Sequence, residues 1–508
     1  LGKGGKLMLR IHCFLFVVLF LVVPTITLSR DVKINAINYL EKHAQNYYTI
    51  SDTIWAYAEI GFQEYWSSEL LSKTLEGNGF EVQKGVSGMP TAFIATYGSG
   101  KPVIAFLAEF DALQGLSQKA GVAKKEPVIE GGPGHGCGHN TMGTAAIAAA
   151  IAAKTAMEEH SIEGTIMVFG TPAEETLSGK IYLVRDGLFK DVDAVLDNHA
   201  SNSMNAEYGR SGTAMISFKV TFFGKTAHAA GAPWMGRSAL DAVEIMNTSV
   251  NFLREHINPE ARVHYVITEG GVAPNIVPDR ATVHYFVREQ DENIQNLFNR
   301  VINCAEGAAI ATECNYNVNV LTAMHQKFQN KSLAEVIQTN IDYIGMPEWN
   351  NDENNFAKDI QKEIGVDEIG LENQVKKLNE ASPTGGSTDV GDVSLVAPTA
   401  TLRFPVYAPG SPGHHWSIVA TTPTSIGHKG LIAGAKVLAC SALDLLTDSN
   451  KIDKIRSEFI QLENSNPYVP LIAKEKMPDI QMYKNEMDQW RNIMLKDWNN
   501  YWQKAFGK

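Results

Sequence analysis

A thiol and an imidazole stand two residues apart in the stretch Gly134-His135-Gly136-Cys137-Gly138-His139-Asn140. Thiolate sulfur and imidazole nitrogen both ligate Zn²⁺-type ions, and a thiolate can bridge two of them. Glycines on both sides of Cys137 allow tight turns and close approach of the backbone to a bound group. Alone, a Cys-x-His loop can equally be structural. A second feature, Gly170-Thr171-Pro172-Ala173-Glu174-Glu175, directly follows the apolar run Ile166 to Phe169. Two adjacent carboxylates cannot face the same way, so one can hold a metal while the other serves as general base toward water. Read alone, the pair is an acidic helix start favoured by the helix dipole. His199 closes the run Ala194-Val195-Leu196-Asp197, a position where open α/β sheets place their sites. Pro412-Gly413-His414-His415-Trp416 lies far downstream in a Gly/Pro loop. Each histidine by itself is an ordinary surface or core residue. Together the four features point to a metal centre with a base beside it.

The elements that must position these residues show in the hydrophobic pattern. Lys33 to Tyr48 and Ser51 to Gly79 have helical periodicity. The short apolar runs 92–96, 103–108, 166–169 and 194–196 read as buried strands, and the Ala-rich stretch 144–157 as a helix between two of them. Alternation of this kind predicts an α/β layer with a mostly parallel central sheet. A second unit begins near Ser211: strand 214–223, helix 237–256, strands 263–268 and 281–287, helix 291–311 and strand 316–321. That order is the ferredoxin-like βαββαβ unit, placed as an insertion in the α/β part, which resumes with helix 332–344. The expected organisation is an export signal over 1–30, a catalytic domain over 31–210 and 326–450, the inserted domain over 211–325, and a helical extension over 451–508. In the extension Trp490, Met494, Trp498 and Trp502 recur every four residues, on one face of a helix packed on the body or on a partner subunit.

A formal net charge of −12 argues against nucleic acid or an anionic membrane as the main partner. Lys3, Lys6 and Arg10 precede an uncharged apolar run from Cys13 to Val23, with small residues around Thr27 to Ser29. This fits a cleavable export signal, with Met8 as the expected start and an uncleaved membrane anchor as the alternative. No other segment reads as a membrane span. The export signal implies a periplasmic or extracellular protein. Cys137, Cys304, Cys314 and Cys440 remain after the signal, too few and scattered for a disulfide scaffold. Cys304 and Cys314 are the nearest candidate pair, and their spacing does not decide the pairing.

Glu109-Phe110-Asp111-Ala112-Leu113 and Gly115-Leu116-Ser117-Gln118, with GHGCGHN and PAEE, resemble the metallo-aminoacylase/carboxypeptidase family of dinuclear-metal amidohydrolases, in its p-aminobenzoyl-glutamate hydrolase branch. Thr226 to Ala230, Pro274 to Asp279 and Gly386 to Asp389 extend the resemblance over roughly residues 35 to 445. It implies hydrolysis of the amide bond of an N-acyl amino acid or a p-aminobenzoyl-glutamate-like small amide. It implies two divalent ions per chain (Zn²⁺ or Mn²⁺, with Co²⁺ also accommodated) and a homodimer formed through an inserted lid and dimerisation domain. Cys137 matches the bridging ligand, His139, Glu175, His199 and His414 the other ligands, and Glu174 the general base. Asp111 matches an acid that orients the site. His228 matches a histidine that in dimeric relatives reaches the neighbouring subunit's site to stabilise the oxyanion, and Asn275 and Arg288 match positions near the substrate's carboxylate. Two departures stand out. Glu109 occupies a place where many relatives carry a ligand histidine, so Cys137 and His139 must supply that ligation. His414-His415 replaces a His-Ser pair, and His414 is the expected ligand. The competing readings are a dipeptidase of the same family, a non-catalytic metal or ligand-binding protein, and a cysteine hydrolase. Glu174 beside a full ligand set argues against a binding protein. A cysteine hydrolase would need a partner histidine oriented by a third group, whereas His139 stands in the same glycine loop as Cys137.

Overall fold

The computed structural model describes residues 5–507, with side chains from Arg30 onward. The export signal read over residues 1–30 therefore lies, apart from Arg30, outside the residues whose side chains are described. Helices α1 (Gly5–Tyr57) and α2 (Tyr65–Gly77) lead into strands β1 (Glu81–Lys84), β2 (Phe93–Ser99) and β3 (Val103–Glu109). Then follow α3 (His139–His160), β4 (Gly164–Thr171), α4 (Gly179–Arg185), β5 (Ala194–Ser201) and β6 (Asn205–Ser211). A second unit consists of β7 (Ala214–Phe223), α5 (Ala239–Leu253), β8 (Arg262–Glu269), β9 (Arg280–Glu289), α6 (Asp291–Thr312) and β10 (Asn315–Met324). The chain returns through β11 (Lys327–Gln329), α7 (Lys331–Ile344), α8 (Asn351–Ile364), β12 (Asn379–Glu380), α9 (Val390–Ser394), β13 (Thr399–Pro405), α10 (Trp416–Thr421) and α11 (Ser425–Thr447). Helices α12 (Ser449–Ser465), α13 (Lys484–Lys496) and α14 (Trp498–Phe506) finish it.

The central sheet runs β1-β2-β4-β3-β5-β13-β6-β11, with β12 beside β6. Its middle pairs (β4·β3, β3·β5 and β5·β13) are parallel, while β1, β2, β6 and β11 join as antiparallel flanks. Every residue of β3 is buried, as a strand covered on both faces requires. Ile104, Phe106 and Ala108 face α1, α3, α7 and α11, while Val103, Ala105 and Leu107 face α4 and α9. Alanine and glycine bring α3 close to the sheet: a Cβ on Gly143 would stand 2.5 Å from the Glu109 carbonyl oxygen. This approach sets His139, in the first turn of α3, beside the end of β3.

The second sheet, β10-β7-β9-β8, draws all its strands from residues 214–324, and α5 and α6 cover one of its faces. Strand β8 is an edge, and six of its residues from His264 to Glu269 are exposed.

Three expectations are corrected. The break placed between Tyr48 and Ser51 is absent, because Ser51 is buried in helix α1 and accepts a hydrogen bond from Asn140 Nδ2 at 3.0 Å. The chain turns instead at Ala58 and Phe62, both at positive φ, and the buried Glu59 carboxylate accepts the Trp66 and Ser67 amides at the start of α2. The aromatic face of the tail is split between two helices, α13 and α14, by Asp497, whose carboxylate caps α14 through the Asn500 amide at 3.2 Å. Among the described residues, helix Ser425–Thr447 is also long and apolar enough to cross a membrane, though it is mostly buried here against α1, α3 and α7.

Candidate metal centre

The site lies where the C-terminal ends of β3, β4 and β5 meet the loops before α3 and after β13, the crevice an open α/β sheet offers. Gly138, the N-cap of α3, sits at φ +82°, and a Cβ there would stand 2.7 Å from the Ala200 Cβ. Only glycine meets both demands without strain, and it separates the two side chains Cys137 and His139. Ala173 and His414 also hold positive φ, 60° and 54°, without being glycine. Strain of this kind persists where the surroundings over-determine the backbone.

Cys137 Sγ lies 3.5 Å from His199 Nε2. His414 Nε2 lies 3.2 Å from Glu175 Oε2. His139 Nε2 is 3.3 Å from Glu109 Oε2 and 3.8 Å from Glu175 Oε1. Donor atoms of Cys137, Glu175 and His414 fall within 4.8 Å of one another, and so do those of Glu109, His139 and Glu174. The outer nitrogens are already engaged: His139 Nδ1 with Asp111 Oδ1 at 2.9 Å, and His199 Nδ1 with the Ala200 carbonyl at 2.8 Å. Asp111 also accepts the Glu175 amide at 3.0 Å. Such partners fix which nitrogen of each ring is free to ligate. His139 Nε2 and Glu175 Oε1 are buried without a hydrogen-bond partner. Orphaned ligand atoms converging from sulfur, nitrogen and oxygen donors fit a pair of divalent cations.

The electrostatics point the same way. Burial, followed by Glu109, Glu175 and Asp389, holds the Glu174 carboxyl well above its usual range, against the pull of Lys180. Burial and the Cys137 charge push Glu175 up to about 7. Bonds to Cys137 and Glu175 raise His414 to about 10. Burial opposes a charged Cys137, but His199, His139 and His414 outweigh it and hold the thiol well below its usual value. A site that must borrow protons to balance its carboxylates is short of positive charge, which bound cations supply.

Sequence reasoning did not identify the ionic cluster beneath these residues. Lys180, fully buried, reaches Glu109 Oε1 at 2.7 Å and Asp389 Oδ1 at 2.6 Å, and its amide donates to Asp389 Oδ2 at 2.9 Å. Its signal was a lone lysine within the run Gly179-Lys180-Ile181-Tyr182-Leu183-Val184. Glu109 thus stands between Lys180 and His139, neutralised from one side. The ferredoxin-like unit contributes differently from expectation. Arg288 lines the cavity over the centre and donates from Nη1 to Ser387 Oγ at 2.6 Å. Asn275 does not join it: this residue is exposed and lies beside His228, through the Ala229 amide to its carbonyl at 3.1 Å. His228 is likewise away from the cavity, its Nδ1 accepting the Ala230 and Gly231 amides at 3.2 and 3.0 Å. Of the adjacent histidines, His414 stands in the cluster, while His415 caps α10 and pairs with Ser417 Oγ at 2.9 Å. The cavity, about 460 Å³, also meets Glu174, Glu207, Lys327 and Arg403.

Residues 209–313 match the family described as a peptidase dimerisation domain. The chain is 41% identical over 467 residues to one of the subunits of p-aminobenzoyl-glutamate hydrolase from Escherichia coli K12, covering 86% of this chain and 97% of that protein. It is 30% identical over 444 residues to the Xaa-Arg dipeptidase of Mus musculus, covering 84% and 92%. A dinuclear metal-binding peptidase of the M20 family from Bacillus subtilis shares the fold, with a TM-score of 0.54 at 17% identity, over 80% of this chain and 99% of that one.

Proposed function

Because the chain belongs to the M20 peptidase family and is a metal-dependent amidohydrolase, we propose that it cleaves the amide bond of N-acyl amino acids of the p-aminobenzoyl-glutamate type. The observation that carries this reading is the pair of interlocked donor groups, Cys137/Glu175/His414 and Glu109/His139/Glu174, with His199 against Cys137. Cys137, His139, Glu175, His199 and His414 would hold two divalent ions, with Zn²⁺ or Mn²⁺ proposed. When bound, such ions polarise the scissile carbonyl and lower the pKa of water toward neutrality.

The rest falls to the chain's own residues. Glu174 takes a proton from the attacking water at its carboxylate and returns one to the leaving nitrogen. Asp111 keeps the His139 ring in the orientation that frees Nε2. Arg288 faces the substrate's carboxylate. Cleavage of an arginine-terminated dipeptide is disfavoured on charge, since Arg288, Lys327 and Arg403 all line the cavity. His228 is proposed to act in the neighbouring subunit of a dimer formed at the second sheet. The exposed edge β8, with Val266 56% and Phe252 of α5 74% accessible, supports that surface. Export directed by residues 1–30 belongs to the same proposal and is checked by locating the native protein by cell fractionation.

Glu174→Ala tests the assignment of the base. The variant is expected to keep its metal by mass spectrometry and to lose turnover of p-aminobenzoyl-glutamate by about 10²–10⁴-fold. Loss of the metal instead would reassign the base.

A further inference from the structure

One wall of the cavity carries charge that cleavage of the amide bond does not use. We propose that Arg403 and Lys327 form a second anion subsite which, with Arg288, selects substrates whose amino-acid half bears two carboxylates. The proposal rests on the amidohydrolase reading above and specifies its substrate.

Register places the residues. In the parallel pair β5·β13, Arg403 is the partner of His199 and Thr401 the partner of Asp197. Register partners on neighbouring strands share a face of the sheet, so Arg403 rises on the His199 side, and both residues line the cavity. Glu207 on β6 accepts from Arg403 Nε at 3.1 Å and fixes the guanidinium plane. Among the described residues no hydrogen bond engages the two terminal nitrogens of Arg403, which is only one-third exposed. Lys327 of β11 is buried; its Nζ donates to Thr401 Oγ1 at 2.9 Å and stands 3.7 Å from Asp197 Oδ2, leaving donor capacity on the ammonium. Burial, joined by the neighbouring Arg403 charge, presses against its charge more than Asp197 and Glu207 restore.

Apart from Glu174 and Glu175, the charged side chains lining the cavity outside the histidine and cysteine ligands are Arg288, Lys327, Arg403 and Glu207. Glu207 meets Arg403 only through Nε and Asp197 stands 3.7 Å from Lys327, so the terminal edge of Arg403 and the guanidinium of Arg288 offer the cavity one donor edge for each of two carboxylates. Arg288 comes from the second sheet and Arg403 from the central one, so the two carboxylates are taken by different units. A guanidinium anchored through Nε presents its remaining edge as a fork fitted to a carboxylate. A neutral side chain at the same place would leave those donors desolvated and unpaired.

The test compares p-aminobenzoyl-glutamate with p-aminobenzoyl-glutamine as substrates. In parallel, calorimetric binding compares free L-glutamate with L-glutamine, on the metal-loaded full chain and its Arg403→Gln and Lys327→Met variants. The wild type is expected to prefer the glutamate member by about ten- to a hundredfold in kcat/KM and in affinity. Arg403→Gln is expected to remove most of that preference, mainly through KM, and Lys327→Met to remove part of it. Equal treatment of glutamate and glutamine by the wild type, or an undiminished preference in both variants, would overturn the subsite. The two proposals fail differently. Cleavage of both amides at equal rates would sink the subsite and keep the hydrolase. Selective glutamate binding without cleavage of either amide would keep the subsite and sink the substrate reading.

Discussion

Lys180 is a fully buried cation whose partners, Glu109 and Asp389, are themselves buried. Removing one member of such a cluster leaves charges uncompensated, which is far costlier than losing a surface pair. Lys180→Met is therefore expected to destabilise the fold by about 3–5 kcal/mol in denaturant unfolding; a change within about 1 kcal/mol would show that Glu109 and Asp389 share protons without it. The proposed ligands make a second prediction. In the metal-free chain His414 stays protonated up to about 10 and Glu175 up to about 7, both raised above their unfolded values. Stability from groups shifted upward is present at low pH and is lost as pH rises through the folded values. The metal-free chain should thus lose stability from these groups between about pH 4.5 and pH 10, Glu175 over the lower part of that range and His414 over the upper. Cation binding must displace those protons, so metal affinity and the stabilisation by metal should both increase over the same interval. Chelator competition across that interval measures this, and a flat affinity would contradict it.

At the scale of elements, the C-terminal extension braces the loop that leads to Cys137. Met487 and Met494 of α13 bury against Ile60 and Ile129, and α14 packs its aromatic face on Trp55 and Val128. Each buried methionine contributes about 1.5–3 kcal/mol. Truncation after Asn466 is expected to lower the unfolding midpoint by several degrees and to speed metal release, read by thermal unfolding and a chromogenic chelator. Unchanged release would make the extension a passenger. How much of this was legible varied with the element. The fully buried β3 stood out as a continuous apolar run, and the βαββαβ order of the second unit could be read from its alternation. Strands β6, β11 and β12 were missed because they flank the sheet with polar residues such as Glu207, Arg210 and Lys327, and β11 and β12 are only three and two residues long. The split of the tail at Asp497 escaped because four-residue spacing survives a one-residue break. Cys137, His139, Glu174 and Glu175 were visible as local motifs. Lys180, Lys327 and Arg403 were not, because what gives each meaning is a partner on a distant strand or helix.

For the whole molecule, His228 and Asn275 pose the question of assembly, since the fold of one chain leaves both outside the cavity that holds Arg288 and Glu174. If His228 serves a neighbouring subunit, the inactive variants His228→Ala and Glu174→Ala should recover turnover when dissociated and reassociated together, because one mixed site is then complete. No recovery in a verified heterodimer would place His228 outside the reaction. Val266→Asp on the β8 edge should shift the chain toward monomer in sedimentation and lower turnover with it. The effects on turnover presuppose a two-cation hydrolytic centre, and the most direct test is metal content by mass spectrometry, paired with p-aminobenzoyl-glutamate turnover before and after chelation. About two divalent ions per chain, with cleavage lost on their removal and regained on their return, is the predicted result. A chain that binds no metal and cleaves no amide after Zn²⁺ or Mn²⁺ is supplied would contradict it.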